Sequence, residues 1–299
     1  MSSCCANDES SSSVSISGNL GDYWRLMKPR VMYLVVFTFI VGMLIAPGSL
    51  NPFIATVSTL CVAMGCGAAC AINMWYDRDI DLLMQRTKSR PIPSGVIDPD
   101  SALEFGVILA SVSVFVMAIT VGYLSSFLLL ISILFYVFVY TIWLKRVTPQ
   151  NIVIGGLAGA FPPVIGWSVV DGSISWQSLI LLAIIFVWTP PHFWSLSLVI
   201  SDDYKAASVP MMPVEYGVKY TKINILIYSI VMSLVVALPG CFLDHYLIYE
   251  SISFVLSGFF VYYAASLMFS DDLKVCRRLF FYSMAYLFAI FLSIVFCSQ

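Results

Sequence analysis

Charge is scarce in this chain. Only 11% of its 299 residues are Asp, Glu, Lys or Arg, while 60% are hydrophobic and the mean hydropathy is +0.92. A soluble domain carries about 25% charged residues, so this composition excludes a globule that covers its own surface in water. The formal net charge of −2 excludes a basic nucleic-acid binder. Apolar–polar alternation is also missing. Runs such as Leu128-Leu129-Leu130-Ile131 and Leu181-Leu182-Ala183-Ile184-Ile185 exclude the strands of an outer-membrane barrel. Among the first 20 residues there are Asp8 and Glu9 but no Arg, which argues against a transit peptide. The first apolar run begins too late for a cleaved signal. The eight cysteines form no disulfide framework. Most of them lie in or beside apolar runs, where a thiol behaves as a small hydrophobe.

What is abundant is long apolar sequence. Nine segments emerge, near 31–48, 53–75, 103–122, 125–144, 151–170, 176–197, 224–243, 246–268 and 279–297. Lipid offers an open backbone no partners, so each reads as a membrane helix. All 15 Lys and Arg fall in the N-terminal stretch or in the connections after segments 2, 4, 6 and 8. The opposite side carries Asp171, Asp244, His245 and Glu250 and no basic residue. The positive-inside rule then places the N terminus in the cytoplasm and the C terminus outside. Residues 1–22, with four serines in a row at 10–13, read as a disordered cytoplasmic tail before a single intramembrane domain at 23–299. The expected compartment is a bacterial plasma membrane.

Two cytoplasmic connections are long, about 76–102 and about 198–223. Each starts acidic and continues into basic residues and prolines. A shift of 119 residues superposes helices 1, 2 and 3 on helices 5, 6 and 7 and brings Arg86 onto Lys205, Ser89 onto Ser208 and Pro91 onto Pro210. The fold class expected is therefore all-α and polytopic: nine transmembrane helices, two four-helix halves in parallel pseudo-repeat, plus a ninth helix. The site would lie between the halves at their cytoplasmic end.

The chemistry-bearing residues gather at that end. Asn73, Asp77 and Asp81 are spaced i, i+4, i+8, which puts three oxygen-bearing side chains on one helix face. Like groups in a row at a membrane boundary call for a cation, and oxygen-only ligands point to magnesium, which completes its shell with water and phosphate. Arg86, Lys88 and Arg90 alternate just beyond, suited to phosphate. Asp202, Asp203 and Lys205 reappear in the second connection, as a second metal contact and a further phosphate contact. Tyr140 and Lys145 close helix 4 on the same side, either as interfacial residues or as groups facing a carbocation and a phosphate. Pro190 and Pro191 are expected to kink or open helix 6. His192 follows them and is the one histidine within an apolar helix.

Taken together, Leu26 to Val31, Asn73 to Asp81, Arg86 to Gly95, Tyr140 to Asn151, Trp188 to Trp194, Asp203 to Ala206 and Pro210 to Pro213 resemble the intramembrane aromatic prenyltransferase (UbiA-type) superfamily. Trp-Thr-Pro-Pro-His-Phe-Trp with Asp-Asp-Tyr-Lys-Ala and Pro-Met-Met-Pro is similar to the branch that farnesylates haem. The resemblance runs from about residue 20 to the C terminus. It implies a nine-helix fold, Mg2+ as cofactor, farnesyl diphosphate and haem B as substrates, and the haem O product. His192 reads either as a satisfied core histidine or as a haem-binding contact, an iron ligand or a propionate partner, and contact with haem A synthase or terminal oxidase assembly is a further expectation. The wider superfamily carries a second Asp-x3-Asp motif. Here Asp202 has Leu198 four residues before it and Ala206 four after, and the halves superposition sets His192 opposite Asn73, as in the haem branch. The alternatives are a same-fold enzyme acting on a quinone precursor or chlorophyllide, a secondary transporter, and a non-catalytic oxidase-assembly subunit. A transporter should carry ionisable groups at mid-membrane, whereas these carboxylates cluster at one boundary.

Overall fold

The computed structural model describes residues 18–270 and 272–298, and all regular structure among them is helical. The tail assigned to residues 1–22 lies mostly outside this range. Its last part is ordered: α1 (Leu20–Leu26) begins behind Asn19, whose side chain and that of Asp22 form a reciprocal cap. Eight helical spans are long and apolar enough to cross a membrane, and α1 together with α2 (Pro29–Ile45) makes a ninth, bent by 61°. The bend has a local cause. Lys28 sits at φ +51°, a left-handed conformation that costs a non-glycine residue energy, and Pro29 starts the new helix with no N–H to satisfy.

The remaining spans follow in order. α3 (Pro52–Tyr76) is continued by the short α4 (Arg78–Leu83). α5 (Pro99–Thr120) leads to α6 (Tyr123–Leu134), which loosens into a π-helix over Phe135–Trp143 and tightens to a 3₁₀ turn at Leu144–Arg146. The fifth span is two pieces, α7 (Asn151–Ala160) and α8 (Pro162–Asp171). α9 (Trp176–Val199) is followed by the short α10 (Ser201–Ala206) and α11 (Met212–Glu215). Last come α12 (Gly217–Ala237), α13 (Tyr246–Ser266) and α14 (Leu273–Cys297).

Of the two expected effects of the prolines, an opened helix is not seen. Pro190 and Pro191 do not interrupt α9, which runs as one helix through them. Its neighbours α7, α12 and α14 pack along it, and the Thr189 hydroxyl donates to Ile185 O at 2.8 Å. The interruption falls in the fifth span, at Phe161 before Pro162-Pro163.

Helices pack in the same order in each half. α2 lies on α3, α3 on α5 and α5 on α6; α7 and α8 lie on α9, α9 on α12 and α12 on α13. α14 stands outside this order and packs on α13, α9 and α2. The halves meet closely where α2 crosses α8. A Cβ at Gly42 would overlap the Pro163 backbone, and one at Gly166 would overlap the Phe39 carbonyl, so glycine is what lets these backbones touch. Two apolar cores result. One is built around Leu181, Trp188, Phe260, Tyr286 and Phe291, the other around Phe39, Val62, Met117, Leu129 and Ile165. Large side chains such as Phe115, Leu234 and Phe254 face outward, as lipid-facing residues do.

Candidate active site

The long connections fold back onto the ends of the helices. In the first, Ile92 and Ile97 pack with Leu26, Ala71, Met74 and Ala102. In the second, Tyr204, Ala207, Val209 and Met211 pack with Ile80, Met84 and Ile152. The buried Asn151 side chain donates to Pro210 O at 3.0 Å and pins the second connection to α7. Asp203 joins the two connections: its carboxylate accepts from the backbone amides of Gln85 at 3.4 Å and Arg86 at 3.3 Å. Burial pushes the Tyr204 phenol up to about 12, so it stays neutral inside this layer, although Arg86, Lys145 and Arg90 pull the other way.

Asn73, Asp77 and Asp81 are all buried at this end of the bundle. They do not share one unbroken helix. α3 ends at Tyr76 and α4 starts at Arg78, with Asp77 at the junction. The i to i+4 backbone bonds nevertheless cross the junction, from Asp77 N to Asn73 O at 2.9 Å and from Asp81 N to Asp77 O at 2.8 Å, so the spacing still lines up the three side chains. Asn73 Nδ2 donates to Asp77 Oδ2 at 2.7 Å and to Thr141 Oγ1 at 3.1 Å.

Each member of this row meets a basic side chain. Lys28 Nζ donates to Asn73 Oδ1 at 2.7 Å, Lys145 Nζ donates to Asp77 Oδ2, and Arg90 donates to Asp81 Oδ2 at 2.6 Å. Asp77 Oδ1 is left buried without a hydrogen-bond partner, with the Arg146 guanidinium 4.0 Å away. With the Asn73 amide and the Asp81 carboxylate in the same buried row, the orphaned oxygen adds to an all-oxygen set of the kind a hard divalent cation takes. Asp79 points elsewhere. Both its oxygens bond the Arg146 guanidinium at 2.7 Å, which holds its carboxyl below the usual carboxylate range.

The π-helix sets the opposite wall. Its wider turn lets Thr141 Oγ1 donate to Tyr136 O, five residues back, at 2.9 Å while it accepts from Asn73. Tyr140 lies against α7, where a Cβ at Gly155 would overlap its ring. Arg86, Lys88 and Lys205 are exposed on the two long connections. Asp202 is exposed and Asp203 is engaged by the backbone of the first connection. No three His, Cys, Asp or Glu side chains converge on a point for a metal among the described residues.

His192 lies apart from the charges. Its ring stacks between Trp188 at 4.2 Å and Phe280 at 4.7 Å. Nδ1 is 2.6 Å from Ser283 Oγ, whose own proton goes to Phe280 O at 2.6 Å, so Nδ1 carries the hydrogen and Nε2 keeps its lone pair. Sequence reasoning missed Lys28, Thr141 and Arg146 as site residues. The signal for Lys28 was its place before Pro29, where a helix must start anew. Thr141 and Arg146 lay within the matching stretch Tyr140 to Asn151, but nothing in the sequence paired them with Asn73 and Asp79.

Residues 35–292 match the UbiA prenyltransferase family. The protoheme IX farnesyltransferase of Ehrlichia canis (strain Jake) is 56% identical over 277 residues, covering 93% of this chain and 94% of that protein. Among solved structures, digeranylgeranylglyceryl phosphate synthase superposes with a TM-score of 0.75 at 18% identity, covering 93% of this chain and 98% of that one. A UbiA homolog from Archaeoglobus fulgidus bound to DMAPP and Mg2+ superposes with a TM-score of 0.68 at 15% identity, covering 92% and 99%. At these identities the structural likeness speaks for the fold.

Proposed function

The chain belongs to the UbiA prenyltransferase family, and we propose that within it the protein transfers a farnesyl group from farnesyl diphosphate to a vinyl group of haem B, giving haem O. The observation that carries the site assignment is the buried Asn73–Asp77–Asp81 row, with an orphaned carboxylate oxygen and a ring of basic side chains around it. An anionic diphosphate with an apolar tail needs such a polar end on a dry helical bundle.

Asn73, Asp77 and Asp81 would hold magnesium, which supplies Lewis-acid neutralisation of the leaving diphosphate. Lys145 and Arg90 stand close enough to the row to share the charge of the departing oxygens, and Arg86, Lys88 and Lys205 extend the positive field along the connections. As the C1–O bond lengthens, an allylic cation develops. Tyr140 offers its ring face to that cation, and the apolar walls keep water from it. The electron-rich vinyl carbon forms the new C–C bond, and water adds to the resulting porphyrin-stabilised cation with loss of one proton, leaving a hydroxyethylfarnesyl side chain. His192 Nε2 has the lone pair required of an iron ligand, with Trp188 and Phe280 holding the ring in place. Asp202, exposed, remains an outer metal or water-bridged contact in this reading. The basic connections face the cytoplasm of a bacterium and the C terminus lies outside its plasma membrane.

The test is mass spectrometry of haems after purified protein is incubated with haem B, farnesyl diphosphate and Mg2+. Haem O should appear, and chelating the metal should stop its formation. Farnesylation of a quinone precursor or chlorophyllide with haem B untouched would overturn the acceptor assignment.

A further inference from the structure

The metal-ligand row is already saturated with positive charge in the protein alone. Lys28, Lys145 and Arg90 each bond one member, and each arrives from a different place: the α1–α2 bend, the end of the fourth span and the first long connection. Lys28 is brought there by the strained left-handed residue at the 61° bend. Two buried carboxylates against three basic side chains leave the cluster with one surplus positive charge, and Arg146, 4.0 Å from Asp77, is matched by its own partner Asp79. A divalent ion arriving alone would raise that surplus to three and would have to displace or share the bonds on Asn73 Oδ1, Asp77 Oδ2 and Asp81 Oδ2. At a membrane boundary such a charge excess is poorly screened. The same ion arriving with a prenyl diphosphate, which carries about three negative charges at neutral pH, would bring the cluster close to neutrality. The displaced ammonium and guanidinium groups would then find phosphate oxygens within reach.

We propose that Lys28, Lys145 and Arg90 are resident counter-cations of this site, and that they make divalent metal binding conditional on the diphosphate. This rests on the prenyl diphosphate reading above and concerns how that site fills. The two ligands then bind cooperatively, and by linkage each strengthens the other by the same factor. The protein would hold little metal until a donor arrives, and Lys28 becomes a positioning residue that relays this through Asn73.

The experiment is a Mn2+ titration followed by electron paramagnetic resonance on the full chain in nanodiscs. It is run with and without excess inorganic pyrophosphate, and corrected for the complex the two form in solution. In the unaltered protein Mn2+ should bind roughly tenfold or more tighter with pyrophosphate present, within the usual range of coupling. Lys145→Met and Lys28→Met should each bind Mn2+ alone more tightly than the unaltered protein and show a smaller pyrophosphate effect. Equal Mn2+ affinity with and without pyrophosphate in the unaltered protein would overturn the proposal and needs no variant. So would methionine variants that hold metal alone no better. Failure to bind Mn2+ under any condition would instead overturn the metal–diphosphate site itself.

Discussion

Asn73 in α3 and His192 in α9 occupy matching positions in the two halves, 119 residues apart, yet their surroundings share little. Asn73 bonds Lys28, Asp77 and Thr141, whereas His192 lies between Trp188 and Phe280 with Ser283 as its polar partner. The same shift carries Asp77 and Asp81 onto Leu196 and Ile200, and carries Lys28, Lys145 and Arg90 onto Val147, Ala264 and Val209. The ionic cluster is absent from the second half as a set, cations together with carboxylates. Charges at a membrane boundary are tolerable only in matched groups, so losing one member would strand the others. The two halves thus differ in chemistry at matching positions: an ionic row of carboxylates and basic side chains in one, a histidine stacked between aromatic rings in the other.

The sharpest way to break this comparison is to compare carboxylates from the two halves. Asp77→Asn should reduce haem O formation by roughly a hundred- to a thousandfold or more, the scale of losing one transition-state charge stabiliser. Asp202→Asn, on an exposed side chain, should cost little. Turnover of purified variants at saturating substrates would decide it, and equal losses would erase the asymmetry. Next in size, His192→Phe should raise the KM for haem B by about tenfold, about 1.4 kcal/mol, and leave pyrophosphate binding unchanged. An unchanged haem KM would remove the acceptor role from that wall.

A third change addresses where the halves touch. Gly166→Ala drives a methyl group into the Phe39 carbonyl and should cost about 1–3 kcal/mol through forced separation of α2 and α8. Thermal unfolding in detergent would show the loss as a lower midpoint. The smallest effect concerns Asp79 and Arg146. That carboxyl titrates below its unfolded value, so its contribution is present at pH above the usual carboxylate range and fades as the medium is acidified through its depressed folded value. Asp79 is 60% exposed, so Asp79→Asn should change stability by no more than about 1 kcal/mol at neutral pH and remove that acid-side slope.

Composition and segment lengths made the helical membrane fold legible, because an apolar run of this length has few alternatives in lipid. The i, i+4, i+8 spacing made Asn73, Asp77 and Asp81 legible, because hydrogen bonds of the i+4 kind survive the helix break at Asp77. The use of Asp203 was not legible. A carboxylate that accepts from backbone amides 117 and 118 residues away looks, in sequence, like any other carboxylate near a phosphate loop. The prolines show the same limit. Pro162-Pro163 breaks its span and Pro190-Pro191 does not, and the sequence around each pair does not tell them apart.

The sequence by itself determined which segments are apolar enough to span a membrane, that the basic residues gather in alternate connections, and which carboxylates stand in a row. Those properties are local: they follow from hydropathy, from charge near helix ends and from helical period. Only the tertiary structure decided which cation neutralises which carboxylate, that Asp203 clasps the two connections, and that a π-turn sets Thr141 against Asn73. Such pairings depend on groups distant in the chain that meet only after the helices pack, where the cost of a buried unpaired charge selects the partner.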